Sequence, residues 1–269
     1  MVLAAPSLRI TGLVLALVVA TSCGGRRVRL GDATGGNAGT AAAAGAGNGG
    51  NTSASGGSAG DHPGSGGGGE GGASCERGRV NPNAVVWIGD SWVTIPSTQH
   101  TRVRDLARAS GALGPDEDYV ILAAPSTSIA AIANQYSSQE AGAIKVEVLI
   151  MDGGTWDTLT AGGSDSSVAK AVSGFKQLLS TVASDGTVTD IVYFLQPELP
   201  SIDGVAALRP ELMQACQDSA VPCYFIDLQP LWVGHPEYTA SDGIQASEAG
   251  ATVIADQIWA TMREHCIAQ

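Results

Sequence analysis

"AVVWIGDSW", Ala84 to Trp92, carries five apolar residues straight into Gly89-Asp90-Ser91. A short, unbroken apolar run of this kind predicts a strand covered on both faces, as in a parallel sheet. The small residue, acid and hydroxyl behind it put Ser91 at the strand's carboxyl end. Four further runs repeat the pattern, at 118–123 (DYVILA), 145–151 (KVEVLIM), 190–195 (DIVYFL) and 222–228 (PCYFIDL). Helix-like stretches separate them near 98–110, 128–141, 165–184, 204–219 and 247–265. The alternation predicts an α/β domain, a three-layer α/β/α sandwich around a five-stranded parallel sheet. In such a sheet, ligands bind beyond the carboxyl ends of the strands, where the strand order reverses. The loops that follow the strands are therefore the ones to read for function.

The chain has 269 residues, and 20 of its 36 glycines fall between Gly24 and Gly72. Residues 24–74 are Gly, Ala, Ser and Asn with almost no large apolar side chain, too little to offset the entropy of ordering. The expectation is a flexible tether with a span of roughly 40 Å, and no role for His62 within it. Ahead of it, Arg9 and the apolar run Ile10–Ala20 predict a signal peptide over 1–22, the run being short for a membrane helix. "ATSC" ends it with small residues before Cys23 and resembles a bacterial lipobox, which implies lipidation of Cys23. An ordinary secretory signal is the alternative. Arg26, Arg27 and Arg29 follow closely enough to meet anionic headgroups. The expected location is the bacterial cell envelope.

Residues 75–269 remain for one folded domain. It carries 10 Lys and Arg against 23 Asp and Glu. That balance excludes nucleic acid as the expected partner, because neutralising phosphates needs clustered cations. The domain holds four cysteines, which allow three pairings. The favoured pairs are Cys216–Cys223, flanking a helix-to-strand turn, and Cys75–Cys266, at the two ends of the domain. Free buried thiols are the alternative. Their spacing does not suit zinc, and no segment has the pattern of a phosphate loop or metal cluster, so no cofactor or metal is expected.

The segment after the first strand resembles the first block of the SGNH/GDSL hydrolases, in Gly89, Asp90 and Ser91. The resemblance covers residues 84–265 in the order of its blocks. It implies a flavodoxin-like sandwich of the esterase, lipase and deacetylase type, with Ser91 as nucleophile. The third block has a counterpart in "GGTWD", with Gly154, Thr155 and Asp157 in register, but Trp156 stands where the family's oxyanion Asn belongs. The second block falls in "AAPSTS", where Ser126 or a neighbour replaces a glycine. The last block is matched by "SDGIQAS": Asp242 fits the orienting acid, but Gln245 occupies the position of the catalytic His.

A glutamine has no titratable group, so it cannot accept the proton of Ser91, and a serine without a base is a poor nucleophile at neutral pH. His235, seven residues before Asp242 in the same loop, is the candidate substitute base; His100 is the weaker one, and His265 falls at the wrong end of the last helix. Trp156 Nε1–H is a candidate oxyanion donor in place of the Asn. Asp152 and Asp157 are either paired carboxylates at the site rim or a strand-end and a helix-capping Asp. Trp92, Trp156 and Trp232 all follow strands on the ligand side and suggest an aromatic-lined cleft for sugar faces or acyl groups. Trp87 and Trp259 read as core. Two functions follow: a lipid-anchored, monomeric serine esterase or deacetylase acting on small-molecule, lipid or glycan esters, or a non-catalytic binding protein that keeps the fold and cleft.

Overall fold

A computed structural model describes Cys75 and residues 80–268. The signal peptide, Cys23 and the tether lie outside the described residues.

The five apolar runs form five parallel strands: β1 (Val85–Ile88), β2 (Val120–Ile121), β3 (Val148–Met151), β4 (Asp190–Leu195) and β5 (Cys223–Asp227). Their order across the sheet is β2-β1-β3-β4-β5. Val86 stands beside Val120 on one side and Leu149 on the other, and Ile150 beside Val192. All of β1, β3 and β4 is buried. The edge strands β2 and β5 are largely half-exposed. β2 keeps only two of the six residues expected of it, although Leu122 N–H still donates to Trp87 O at 2.8 Å and Ala124 N–H to Gly89 O at 3.1 Å along the same edge of β1.

The long helices are α2 (Thr98–Ser110), α3 (Ile129–Glu140), α5 (Asp165–Asp185), α6 (Val205–Gln217) and α8 (Glu248–Glu264). Each falls within two residues of its expected bounds. α2 packs on α8, while α3 and α6 pack on α5, which makes the two outer layers. α5 shows why these segments are helical. Val168, Ala171, Val172, Phe175, Leu178, Leu179 and Val182 recur at three- and four-residue spacing and are all buried. Each large side chain among them contributes about 1.5–3 kcal/mol through burial. Asp165 favours the positive end of the helix dipole, and Gly186, at φ 69°, ends it in the left-handed conformation.

Three short helices were not apparent in the sequence: α1 (Ser91–Thr94), α4 (Thr155–Leu159) and α7 (Gln229–Trp232). They follow β1, β3 and β5, so the ligand-side end of the sheet is built from tight turns rather than open loops. Disulfides join Cys75 to Cys266 and Cys216 to Cys223, with Cα atoms 5.2 and 5.3 Å apart, as the favoured pairing has it.

Candidate active site

Ser91 opens α1 at the end of β1, next to the point where the strand order reverses between β1 and β3. Its position rests on two buried contacts below it. Asp90 N–H donates to Asp152 Oδ1 at 2.6 Å. Gly89 is bracketed by the Gln135 side chain of α3, whose Oε1 accepts from Gly89 N–H at 2.7 Å while its Nε2 donates to Gly89 O at 3.1 Å. Gly89 itself has φ 142°, and a Cβ there would lie 1.9 Å from Asp152 Oδ1. The glycine of Gly-Asp-Ser is thus required by the close approach of β3's carboxylate.

Asp152 is 4% exposed. Burial, and then the charge of Asp90, hold its carboxyl well above the usual carboxylate range. Asp90 is also raised by burial, against the opposing effect of nearby donors. Those donors matter for chemistry. Thr127 N–H donates to Asp90 Oδ1 at 3.1 Å. The Ser91 and Ser126 N–H groups and the Ser91 hydroxyl also lie close enough to favour the Asp90 carboxylate. The Ser91 N–H is the donor expected to stabilise an oxyanion, and it is among the groups that favour the Asp90 carboxylate. Ser126 adopts φ 61°, the left-handed conformation that favours glycine.

Gln245 meets Ser91 directly. Its Nε2 donates to Ser91 Oγ at 3.0 Å. The amide therefore stands where a base would have to act, and it gives a hydrogen bond rather than taking a proton. Gln245 is positioned by the loop ahead of α8. Asp242 Oδ1 accepts from the N–H groups of Ile244 and Gln245, at 2.8 and 2.9 Å. Asp242 thus shapes the backbone turn; its bonds go to the main chain and not to the Gln245 amide. Ala240 N–H donates to Gln245 O at 2.8 Å, and Thr239 bridges to Ala246.

His235 is placed elsewhere. Its Nδ1 is 2.9 Å from Glu237 Oε1, and its ring stacks on Tyr238 at 4.6 Å. The residues lining the cavity at Ser91 do not include it. Sharing a loop with Asp242 does not make it face the serine, because the short helix Pro236–Tyr238 turns it aside. His100 Nδ1 lies 3.5 Å from Val93 O, and burial lowers its pKa; it too is outside the cavity lining. His265 stacks on Tyr224.

The tryptophans divide. Trp92 is 1% exposed, donates from Nε1 to Ile244 O at 3.1 Å and packs on Trp232 with centroids 5.7 Å apart. Trp232 is buried and donates to Thr239 Oγ1 at 3.2 Å. Both rings pin the 233–247 loop, and Trp232 is absent from the cavity lining, so the expected aromatic rim is reduced to Trp92 and Trp156. Trp92 contributes only part of the cavity wall. Trp156, half-exposed, remains the aromatic at the cavity mouth. Gly154, at φ 92°, precedes α4 and sets Thr155 and Trp156 on the wall. Asp157 is a capping residue, its Oδ2 accepting from Ile129 N–H at the start of α3 at 2.8 Å.

The cavity measures about 150 Å³. Its polar lining includes Asp90, Ser91, Ser126, Gln196 and Gln245, and its apolar lining includes Ile95, Leu159, Ile202 and Ile244. Gln196, just beyond β4, is a lining residue the sequence reading passed over. Its only signal was its place directly after a strand. Among the described residues, no group of three or more His, Cys, Asp or Glu is arranged to hold a metal.

No family model matches the chain, and no curated protein does. Solved structures match in fold. An acetyl xylan esterase, AlAXEase, aligns over 66% of this chain and 98% of its own at 12% identity and a TM-score of 0.54. A family 3 carbohydrate esterase of Clostridium thermocellum aligns over 69% and 98% at 17% identity and a TM-score of 0.53. A GDSL-like lipase from Parabacteroides merdae aligns over 71% and 98% at 14% identity and a TM-score of 0.53. At these identities the similarity shows the fold alone: the domain is an α/β/α sandwich around a five-stranded parallel sheet, as in these proteins.

Proposed function

We propose that the domain is a ligand-binding form of the SGNH fold, which holds a small acyl-bearing molecule, such as a decorated glycan, over Ser91 without efficient turnover. The observation that carries this reading is the Gln245 Nε2 bond to Ser91 Oγ at 3.0 Å. An amide in the base position leaves the serine unactivated. The Asp90 carboxyl beside Ser91 adds to it, since a carboxylate so close disfavours a second negative charge on an oxyanion at the Ser91 N–H.

An ester hydrolase is the second reading. It is favoured by Ser91 at the strand end with the Asp90 carboxyl on the neighbouring residue, and by the esterases among the fold neighbours. Here Ser91 attacks an ester carbonyl and Asp90 takes the proton. Hydrolysis of p-nitrophenyl acetate and acetylated xylo-oligosaccharides by wild type and Ser91→Ala separates the two. Equal rates are expected at pH 7; a rate lost with Ser91→Ala overturns the first reading in favour of the second.

The location proposed for the protein is the cell envelope, with Cys23 lipidated and residues 24–74 as tether. This rests on the apolar run and small residues before Cys23. Cys23→Ser is expected to move the protein from the membrane fraction to the soluble fraction; retention in the membrane fraction argues against the anchor.

A further inference from the structure

We propose that the cavity over Ser91 takes a secondary amide, the acetamido group of an N-acetylated sugar, in preference to an ester. This rests on the reading that the cavity binds a ligand, and it specifies the chemistry of that ligand. Two buried polar atoms of the cavity's own side chains carry the inference. Gln196 is 5% exposed and lines the cavity, and its Nε2 has no hydrogen-bond partner within the protein. Gln245 lines the same cavity; its Nε2 is committed to Ser91 Oγ, and its Oε1 is buried without a partner.

A buried donor or acceptor left unpaired costs free energy, and since each atom is almost wholly covered as it stands, a ligand completes it when the side-chain amide turns into the cavity. Gln196 Nε2 is a donor and needs an acceptor, which any acyl carbonyl supplies. Gln245 Oε1 is an acceptor and needs a donor. An ester linkage has none, because the atom beside its carbonyl carbon is a bare oxygen. A secondary amide has an N–H there. The acetamido group presents an acceptor and a donor on opposite edges of one planar amide, with a methyl for apolar walls such as Ile95, Leu159 and Ile202. A cavity of about 150 Å³ accepts a small group of this kind rather than a long acyl chain. The sugar ring is left at the mouth, where Trp156 supplies a half-exposed aromatic face.

The test is a ligand-observed NMR titration of the folded domain with N-acetylglucosamine, with 2-O-acetylglucose as the ester isostere and glucose as the unacylated control. N-acetylglucosamine is expected to bind about tenfold or more tightly than 2-O-acetylglucose. Gln245→Leu should erase that difference by weakening the N-acetyl sugar alone. Gln196→Leu should weaken both acylated sugars, since both carry the carbonyl. Equal affinity of wild type for the two, or a preference for the ester, overturns the amide inference and leaves the ligand-binding reading standing. Acylated sugars that bind no better than glucose overturn the amide inference together with the acyl-binding reading beneath it.

Discussion

Asp152 Oδ1 receives the backbone N–H of Asp90 at 2.6 Å, directly beneath the serine that follows. The bond needs an acceptor on Asp152 but no charge. Burial and the neighbouring Asp90 hold the Asp152 carboxyl well above the ordinary aspartate value of 3.8. In the unfolded chain the group loses its proton near that value, while the folded protein keeps it to higher pH. The folded state then binds more protons, so stability falls as pH rises from 3.8 toward the raised value. Asp152→Asn keeps the acceptor and removes the titration. Thermal unfolding at pH 4 and pH 7.5 should show a smaller fall for the variant than for wild type. Asp90, also raised, leaves a residual slope. Identical pH profiles for the two proteins would count against a protonated Asp152.

Gly89→Ala should be severe. The added Cβ would stand 1.9 Å from Asp152 Oδ1, at a backbone φ of 142° that side-chain-bearing residues rarely adopt. A loss of about 3 kcal/mol or more in urea unfolding is expected. A loss below about 1 kcal/mol would mean that Asp152 can move aside freely.

Gln245→His places an imidazole where the amide now touches Ser91 Oγ. With a titratable base restored, p-nitrophenyl acetate turnover should rise on the order of 10²-fold. The gain should vanish in the Gln245→His, Ser91→Ala double variant. No gain in a folded variant would indicate that more than the missing base silences the site.

Trp92→Phe keeps an aromatic ring but loses the indole donor to Ile244 O. The expected cost is about 1–3 kcal/mol, combining a lost buried hydrogen bond with imperfect packing against Trp232. Because Ile244 precedes Gln245, amide hydrogen exchange at Gln245 and Ala246 should quicken more than in β3 or β4. Uniform change across the domain would separate the Trp92 bond from the order of this loop.

The architecture was legible because its signals are local and repetitive. β1, β3 and β4 are apolar throughout, and α5 shows its buried stripe in plain sequence. The short helices α1, α4 and α7 were not legible, since four or five residues carry no periodicity. At the site, Ser91, Asp242 and Gln245 were found from their place after strands and within one short motif. Their relationship was not, because the direction of a side chain is set by the turn around it. Asp242 bonds the backbone of its own turn, and His235 is carried away by a single helical turn. Trp232 misled for a related reason: following a strand on the ligand side fixes where a ring begins, not whether a neighbour covers it. Gln135 and Gln196 were missed because an amide on a helix or after a strand looks like any polar residue until its partners are known.

Cys75 and Cys266 are 191 positions apart in the chain and 5.2 Å apart at their Cα atoms. Cys266 follows the 17 residues of α8, about 25 Å of helix beyond the loop that carries Gln245. The bond gives the domain a mechanical earth point. Tension applied at Cys75 passes through sulfur to the end of α8 and need not unzip β1 from β2 and β3. The strand that presents Ser91 thereby shares the load with the last helix.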